Sequence, residues 1–223
     1  MFDFLSLETI QIIWLTLRMT LLSTAISAII GVPFGLWLNR VSFPGKHIIV
    51  LFNRSLMAAP PVVVGLLAYI LLMRDGPLGF LSRLFTFEGM VFAQVLLLTP
   101  IISGIVYTTA QRNAANIRTY AKTMGANKRQ TLLLLIRELS NDIYFATITG
   151  FGRAMSEVGA VMVVGGNIRH HTRVMTTTIS MLRNRGEINV AIFMGIVLLI
   201  VALAVQIIAG LLRKRELRQD ENF

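Results

Sequence analysis

Apolar residues in this chain gather in long blocks separated by short polar connections. Uncharged apolar runs cover residues 19–38, 56–73, 91–110 and 188–212, and a further apolar region, 143–166, is interrupted by Arg153 and Glu157. Each run approaches the roughly 20 residues that a helix needs to cross the hydrocarbon core of a bilayer. A helix satisfies all of its backbone polar groups internally, which lipid demands. The pattern therefore predicts an all-α integral membrane protein with about five transmembrane helices. Asp75-Gly76-Pro77 and residues 39–45 carry turn chemistry and mark short connections. No internal repeat or low-complexity segment divides the chain, so residues 1–223 read as one transmembrane domain.

Five spans place the two termini on opposite sides. Lysine and arginine flanking the spans choose the orientation. With the C-terminus cytoplasmic, Arg40, Lys46, Arg54, the basic residues from Arg112 to Arg137 and the tail Arg213, Lys214, Arg215 and Arg218 lie inside. Arg74, Arg83, Arg169, Arg173, Arg183 and Arg185 lie outside, and the inside set is roughly twice as large. The expected arrangement is N-terminus outside, C-terminus cytoplasmic, in the cell (inner) membrane. The opening residues, Met1 to Leu7, lack the basic start and small-residue cleavage site of a signal peptide, so no cleaved leader is expected.

Composition fits this reading. The 223 residues are 55% hydrophobic and only 14% charged, with a mean hydropathy of +0.70, where a soluble domain carries about 25% charged residues. The net charge of +10 would suggest nucleic acid in a soluble protein. Here the basic residues flank apolar runs, where they set topology and meet anionic lipid, and no nucleic-acid partner is expected. The chain has no cysteine, which excludes disulfides and thiolate metal sites.

The polar stretch 111–142 is far longer than a crossing-back turn requires and has room for two short helices. It contains Tyr120-Ala121-Lys122-Thr123-Met124-Gly125-Ala126. Ala121 and Gly125 are four apart, on one face if the segment is helical, and small side chains let another backbone approach. Lys122, Lys128 and Arg129 flank that face. From the pattern alone the segment is either a docking element for a partner or a loop that caps a helix and touches headgroups. Early in the second long run, Pro60-Pro61 removes two backbone donors and forces a bend, either a simple kink or a gate beside a path. Arg153 and Glu157 are four apart and can pair on one helix face. An unpaired charge at mid-membrane costs roughly 2.5–3.5 kcal/mol on insertion scales, so the pair either fixes packing or serves translocation. The outer segment 168–185 is basic, with a short helix expected from Thr176 to Arg183, and is suited to attract an anion or an acidic partner. Its adjacent His170 and His171 lack a third ligand, so no metal site is expected. Arg18 is expected to reach headgroups from the outer end of the first span, and Gly31, Gly35, Gly104 and Gly195 to serve close helix packing.

Residues 119–138 resemble the EAA loop of ABC-importer permeases, in which a short helix enters a cleft of the ATPase. Ala121 and Gly125 match that signature in type and spacing, and Leu135 takes its Ile position. Thr119-Tyr120 and Arg137-Glu138 depart from the expected Glu-Ala and Leu-Pro. Ala59-Pro60-Pro61-Val62-Val63-Val64-Gly65 and Arg153-x-x-x-Glu157-x-Gly159-Ala160 with Gly165-Gly166-Asn167 resemble permeases of the molybdate/tungstate/sulfate group. Within that group, Ser156-Glu157-Val158-Gly159-Ala160 and the 171–177 segment resemble tungstate permeases more than molybdate ones.

The resemblance covers nearly the whole chain and implies an all-α type I ABC-importer permease fold, with no cofactor of its own. It implies two copies of a separate ATPase, docked through Ala121, Lys122, Met124, Gly125, Ala126, Lys128 and Arg129. It also implies an extracytoplasmic oxyanion-binding protein and closure as a homodimer. Pro60, Pro61, Arg153 and Glu157 are candidates for gating, and Thr99 and Ser103 for hydroxyls along the path. The expected function is the transmembrane subunit of an ATP-driven importer of an oxyanion, tungstate first, with molybdate or sulfate as alternatives.

The chain contains no Gly-x-x-x-x-Gly-Lys-[Ser/Thr], no His-Glu-x-x-His and no nucleophile elbow, so it is not expected to be an enzyme. An ion-driven secondary transporter is the alternative from another class. Such proteins show internal repeats, which this sequence lacks.

Overall fold

A computed structural model describes the backbone of residues 7–220 and the side chains of residues 7–213. The start, residues 1–6, and the side chains of Lys214, Arg215 and Arg218 lie outside the described residues. The helices among those described are α1 (Leu7–Arg40), α2 (Lys46–Met57), α3 (Pro61–Leu72), α4 (Phe87–Thr123), α5 (Lys128–Glu138), α6 (Ser140–Met155), α7 (Gly159–Gly165), α8 (Met175–Asn184) and α9 (Ile188–Asp220). Helices α1, α4 and α9 are each long and apolar enough to cross a membrane unaided. The other two expected spans are each broken into two helices; α2 with α3 is apolar enough to make a fourth span, whereas α6 with α7 is not, so three or four spans stand among the described residues where about five were expected. The run 56–73 is not one helix: α2 and α3 meet at a bend of 105°, with Pro60 as N-cap and Pro61 at the first position of α3. Proline there lacks only an N–H that the helix start would leave unpaired. The region 143–166 breaks between α6 and α7, at Ser156–Val158.

Helix α4 is the central post, packing against α1, α2, α3, α5, α6 and α7. It starts at Thr86, whose hydroxyl accepts the Gly89 N–H, and runs 37 residues with Pro100 inside it. Its most extensive partner is α1. The seam between them is small and polar: Thr20, Ser23, Ser27, Gly31 and Gly35 are all buried. Such residues let backbones approach in lipid, where apolar bulk offers no preference for protein over solvent. A Cβ on Gly35 would sit 2.6 Å from the Ser103 carbonyl oxygen, and one on Gly104 would meet Met57. Gly195, in contrast, faces open space.

Two ends emerge. At one, Glu8 reaches Arg169 and Arg173, and the Phe85 N–H donates to the Val164 carbonyl. At the other, Arg118 donates to Asn39, and Arg213 donates to Ser140 and Asn141. Helix α9 leaves Leu199, Ile200, Leu203, Ile207 and Ile208 exposed, an apolar surface that only lipid or another apolar face suits.

Candidate functional site

The proline bend and the charged break come together. A Cβ on Gly65 would lie 2.5 Å from the Ala160 Cα, and one on Gly159 would lie 2.6 Å from Val62 Cγ2. Helices α3 and α7 therefore touch backbone to backbone, and the start of each lies beside the other. From this junction α3 and α7 run in parallel toward the end that holds Phe85 and Asn167. Helix α3 has 12 residues, about 18 Å at the helical rise, so the junction lies about that far from the Phe85 end.

Glu157 occupies the break with its side chain 3% exposed. Its Oε1 accepts the Ala160 N–H at 3.1 Å, which satisfies a free donor of the first turn of α7. Its Oε2 lies 3.7 Å from Arg153 Nη2, and the Arg153 side chain is 40% exposed. The expected i,i+4 pair is present, although a break in the helix now lies between its members. The Glu157 carbonyl accepts from Thr176 Oγ1 at 2.9 Å.

A buried amide holds the end of α6. Gln94 Oε1 accepts from Ser23 Oγ at 2.6 Å, and Gln94 Nε2 donates to the Ala154 carbonyl at 3.1 Å. That carbonyl belongs to the last turn of α6, where helical partners run out. Thr16 continues the network: its hydroxyl donates to the Ile12 carbonyl and accepts the Met175 N–H at 2.9 Å. Sequence reasoning missed Gln94, Thr16 and Thr176. Gln94 carried a detectable signal, being the amide in an otherwise apolar run, 91–98.

Thr99 and Ser103 belong to a different wall. They line a cavity of about 700 Å³ between α1, α2 and α4, together with Asn53, Phe52 and Ile30. Neither hydroxyl hydrogen is idle. Thr99 donates to the Val95 carbonyl, and Ser103 lies 3.1 Å from Asn53 Oδ1 and 3.2 Å from the Pro100 carbonyl.

The 111–142 stretch differs from two short helices. Helix α4 continues through it to Thr123, and only α5 is a separate short helix. The corner between them is tightly specified. The Ala126 N–H donates to the Ala121 carbonyl and the Gly125 N–H to the Lys122 carbonyl, the paired bonds of a Schellman end. Gly125 has φ +72, which a residue without Cβ adopts freely. Asn127 and Gln130 then form a capping box that starts α5. Ala121 and Gly125 thus do not share an open helix face: Ala121 is buried beneath the corner, and Gly125 lies just past the helix end. The exposed groups at the corner are Tyr120, Lys122, Met124, Gly125, Lys128 and Arg129, with Ala126 half-buried.

Segment 168–185 is less available than its charge suggested. The expected short helix is α8, but its Thr176, Thr177, Thr178 and Leu182 are buried. Arg169 Nε donates to Glu8 at 3.0 Å and Arg173 Nη1 lies 3.4 Å from Glu8. The hydrogen bond to Glu8 holds the Arg169 guanidinium above its ordinary pKa. Arg18 stands 4.9 Å over the Phe87 ring, a cation–π contact.

Known proteins match this chain along most of its length. It is 42% identical over 198 residues to "Tungstate uptake system permease protein TupB" of Peptoclostridium acidaminophilum, covering 89% of this chain and 87% of that one. It is 33% identical to "Probable anion ABC transporter permease protein" of Haloferax volcanii, covering 92% and 91%. A solved structure of an amino acid ABC transporter with histidines shares the fold, with a TM-score of 0.65 at 16% identity, over 96% of this chain and 99% of that one. Residues 31–218 match the family described as binding-protein-dependent transport system inner membrane component. That match spans most of the described chain, and the chain belongs to the family of binding-protein-dependent transport system inner membrane components.

Proposed function

We propose that the chain is the permease of a tungstate importer, and the 42% identity to a tungstate permease over most of both chains is the observation that carries this reading. Family membership makes it the membrane subunit of an ABC importer, a multi-pass inner-membrane transport subunit and not an enzyme. ATP hydrolysis belongs to a separate subunit, and a substrate-binding protein delivers the cargo. Molybdate and sulfate share the tetrahedral, doubly charged form of tungstate, and the closing titration separates the three.

The working unit is a homodimer with two ATPase copies, N-termini outside and C-termini cytoplasmic. A single chain with so few spans and no internal repeat makes half a pathway, and two-fold closure is the simplest completion. The Arg118 and Arg213 end faces the cytoplasm, in line with the basic bias of residues 112–137. Residues 1–223 act as one permease domain, with the coupling element within 111–142. The ATPase docks on Lys122, Met124, Gly125, Ala126, Lys128 and Arg129, with Ala121 supporting the corner from below. ATP-driven closure of the ATPase pair moves this corner, and alternating access follows if the two states differ in their contacts at both ends. The junction of Pro60, Pro61, Arg153 and Glu157 is the gate. Helix starts carry positive partial charge, and α3 presents its start at this junction, a weak attraction suited to an anion that must also leave. Thr99 and Ser103 line the path through the cavity beside Asn53.

Gly125→Trp separates docking from folding. Open space surrounds Gly125, so the indole fits, and the left-handed backbone costs about 1–2 kcal/mol. Membrane insertion is expected to persist while co-purification of the ATPase is lost; normal co-purification would refute the docking role. The function itself is tested in liposomes holding this chain, its ATPase and its binding protein. Tungstate is expected to stimulate ATP hydrolysis at lower concentration than molybdate, sulfate or phosphate. Preference for another anion would replace the cargo, and hydrolysis indifferent to all four would refute the oxyanion reading.

A further inference from the structure

We propose that the pocket between the start of α1 and residues 167–173 binds the phosphate of a phospholipid in the outer leaflet. The pocket holds about 380 Å³ and is lined by Glu8, Gln11, Trp14, Leu15, His170 and Arg173 among others. Its depth is fixed by α1. Trp14 and Trp37 are both exposed on this helix, and the 23 residues from 14 to 37 span about 34 Å. That is the thickness of the hydrocarbon core with its margins, and tryptophan settles at those margins. Trp37 is accompanied by Phe34 and Phe43, as an aromatic belt requires. Trp14 therefore marks the opposite headgroup level, and the polar pocket opens beside it.

The chemistry of the walls suits a phosphodiester. Arg173 lines the pocket, and Arg169 beside it shares the single Glu8 carboxylate with it, which leaves one positive charge to meet one negative charge. Arg173 Nε is buried and has no hydrogen-bond partner, a costly state for a charged donor without a ligand. His170 Nδ1 lies 3.3 Å from Gln11 Oε1, so both polar side chains stand at the rim. Exposed Leu21 and Leu22 follow Trp14 along α1 toward the hydrocarbon core and offer an apolar track for an acyl chain.

The two tryptophans of the chain provide the test. In the full-length chain in detergent, Trp37→Phe leaves Trp14 as the only tryptophan. Phosphatidylglycerol with brominated acyl chains is expected to quench Trp14 saturably. Diacylglycerol with the same chains should quench it only in proportion to its mole fraction. Arg173→Gln is expected to weaken the saturable phase about tenfold, the loss of one charge-assisted hydrogen bond. Gln11→Ala, at the rim, leaves Arg173 packed and should weaken it by a smaller factor; it carries the test if Arg173→Gln does not fold. With Trp14→Phe, the remaining Trp37 should not distinguish the two lipids. Equal quenching of Trp14 by both lipids, or no change in either pocket variant, would overturn the proposal. Release of quenching by inorganic phosphate or tungstate would also overturn it, assigning the pocket to soluble anions.

Discussion

Gly65→Leu is expected to abolish uptake and to destabilise the protein by more than 3 kcal/mol, the upper end of what an overpacked core costs, at roughly 1–3 kcal/mol. The obstacle at Gly65 is backbone, since a Cβ would stand 2.5 Å from Ala160 Cα and 3.2 Å from the Ala160 carbonyl oxygen. Backbone cannot rotate away as a side-chain tip can. Helix α3 must therefore separate from α7, and the Val62–Gly159 contact opens with it. A thermal melt in detergent, followed by tryptophan emission, should show a large fall in Tm. Gly195→Leu, which meets open space, is the control and should melt like the parent. A Gly65→Leu protein with parental Tm would refute the close contact of the two broken spans.

Glu157→Gln is the second change with a large expected effect, and it acts on transport more than on stability. The glutamine side chain has the same length and still offers an oxygen to the Ala160 N–H, so the start of α7 remains capped. What disappears is the charge facing Arg153 at 3.7 Å. The Arg153 side chain is 40% exposed, so its guanidinium can turn to water once the partner charge is gone, and a partly exposed ion pair of this kind contributes little to stability. If the pair belongs to the gate, uptake in liposomes should fall at least about tenfold, the rate equivalent of 1.4 kcal/mol, while expression and Tm stay near the parental values. Unchanged uptake would leave the pair as a packing element.

The sequence made the long elements legible. Runs of about 20 uncharged residues led directly to α1, α4 and α9, because lipid leaves a chain no alternative to helix. The bend at Pro60-Pro61 and the break at Arg153–Glu157 were also legible, since missing donors and unpaired charges are costly in any fold. What stayed hidden depends on geometry that spacing does not encode. Ala121 and Gly125 are four apart, which reads as one helix face, yet a left-handed residue at Gly125 ends the helix and turns the chain. The burial of Thr176, Thr177 and Thr178 depends on where α8 packs, and three threonines in a basic segment read as surface. Arg169 and Arg173 read as free positive charge because Glu8, their partner, lies some 160 positions away in sequence. The meeting of the two broken spans required knowing that α3 and α7 are neighbours.

The unbroken course of α4 has a mechanical consequence. A helix of 37 residues is about 55 Å long, so a tilt of about 5° moves one end by about 5 Å relative to the other. The capped corner after Thr123 sits at one end of this lever, and the contacts with α3 and α7 lie along its far arm. A flexible linker would dissipate a push at the corner, whereas a continuous helix transmits it. Pro100 sets the compliance of the rod, because it has no N–H for the carbonyl one turn earlier. The Asn53 side chain donates to the Pro100 carbonyl itself at 3.2 Å, so α2 braces the lever at its softest point, and under the docking proposed above the stiffness of that brace governs how much of each stroke reaches α3 and α7.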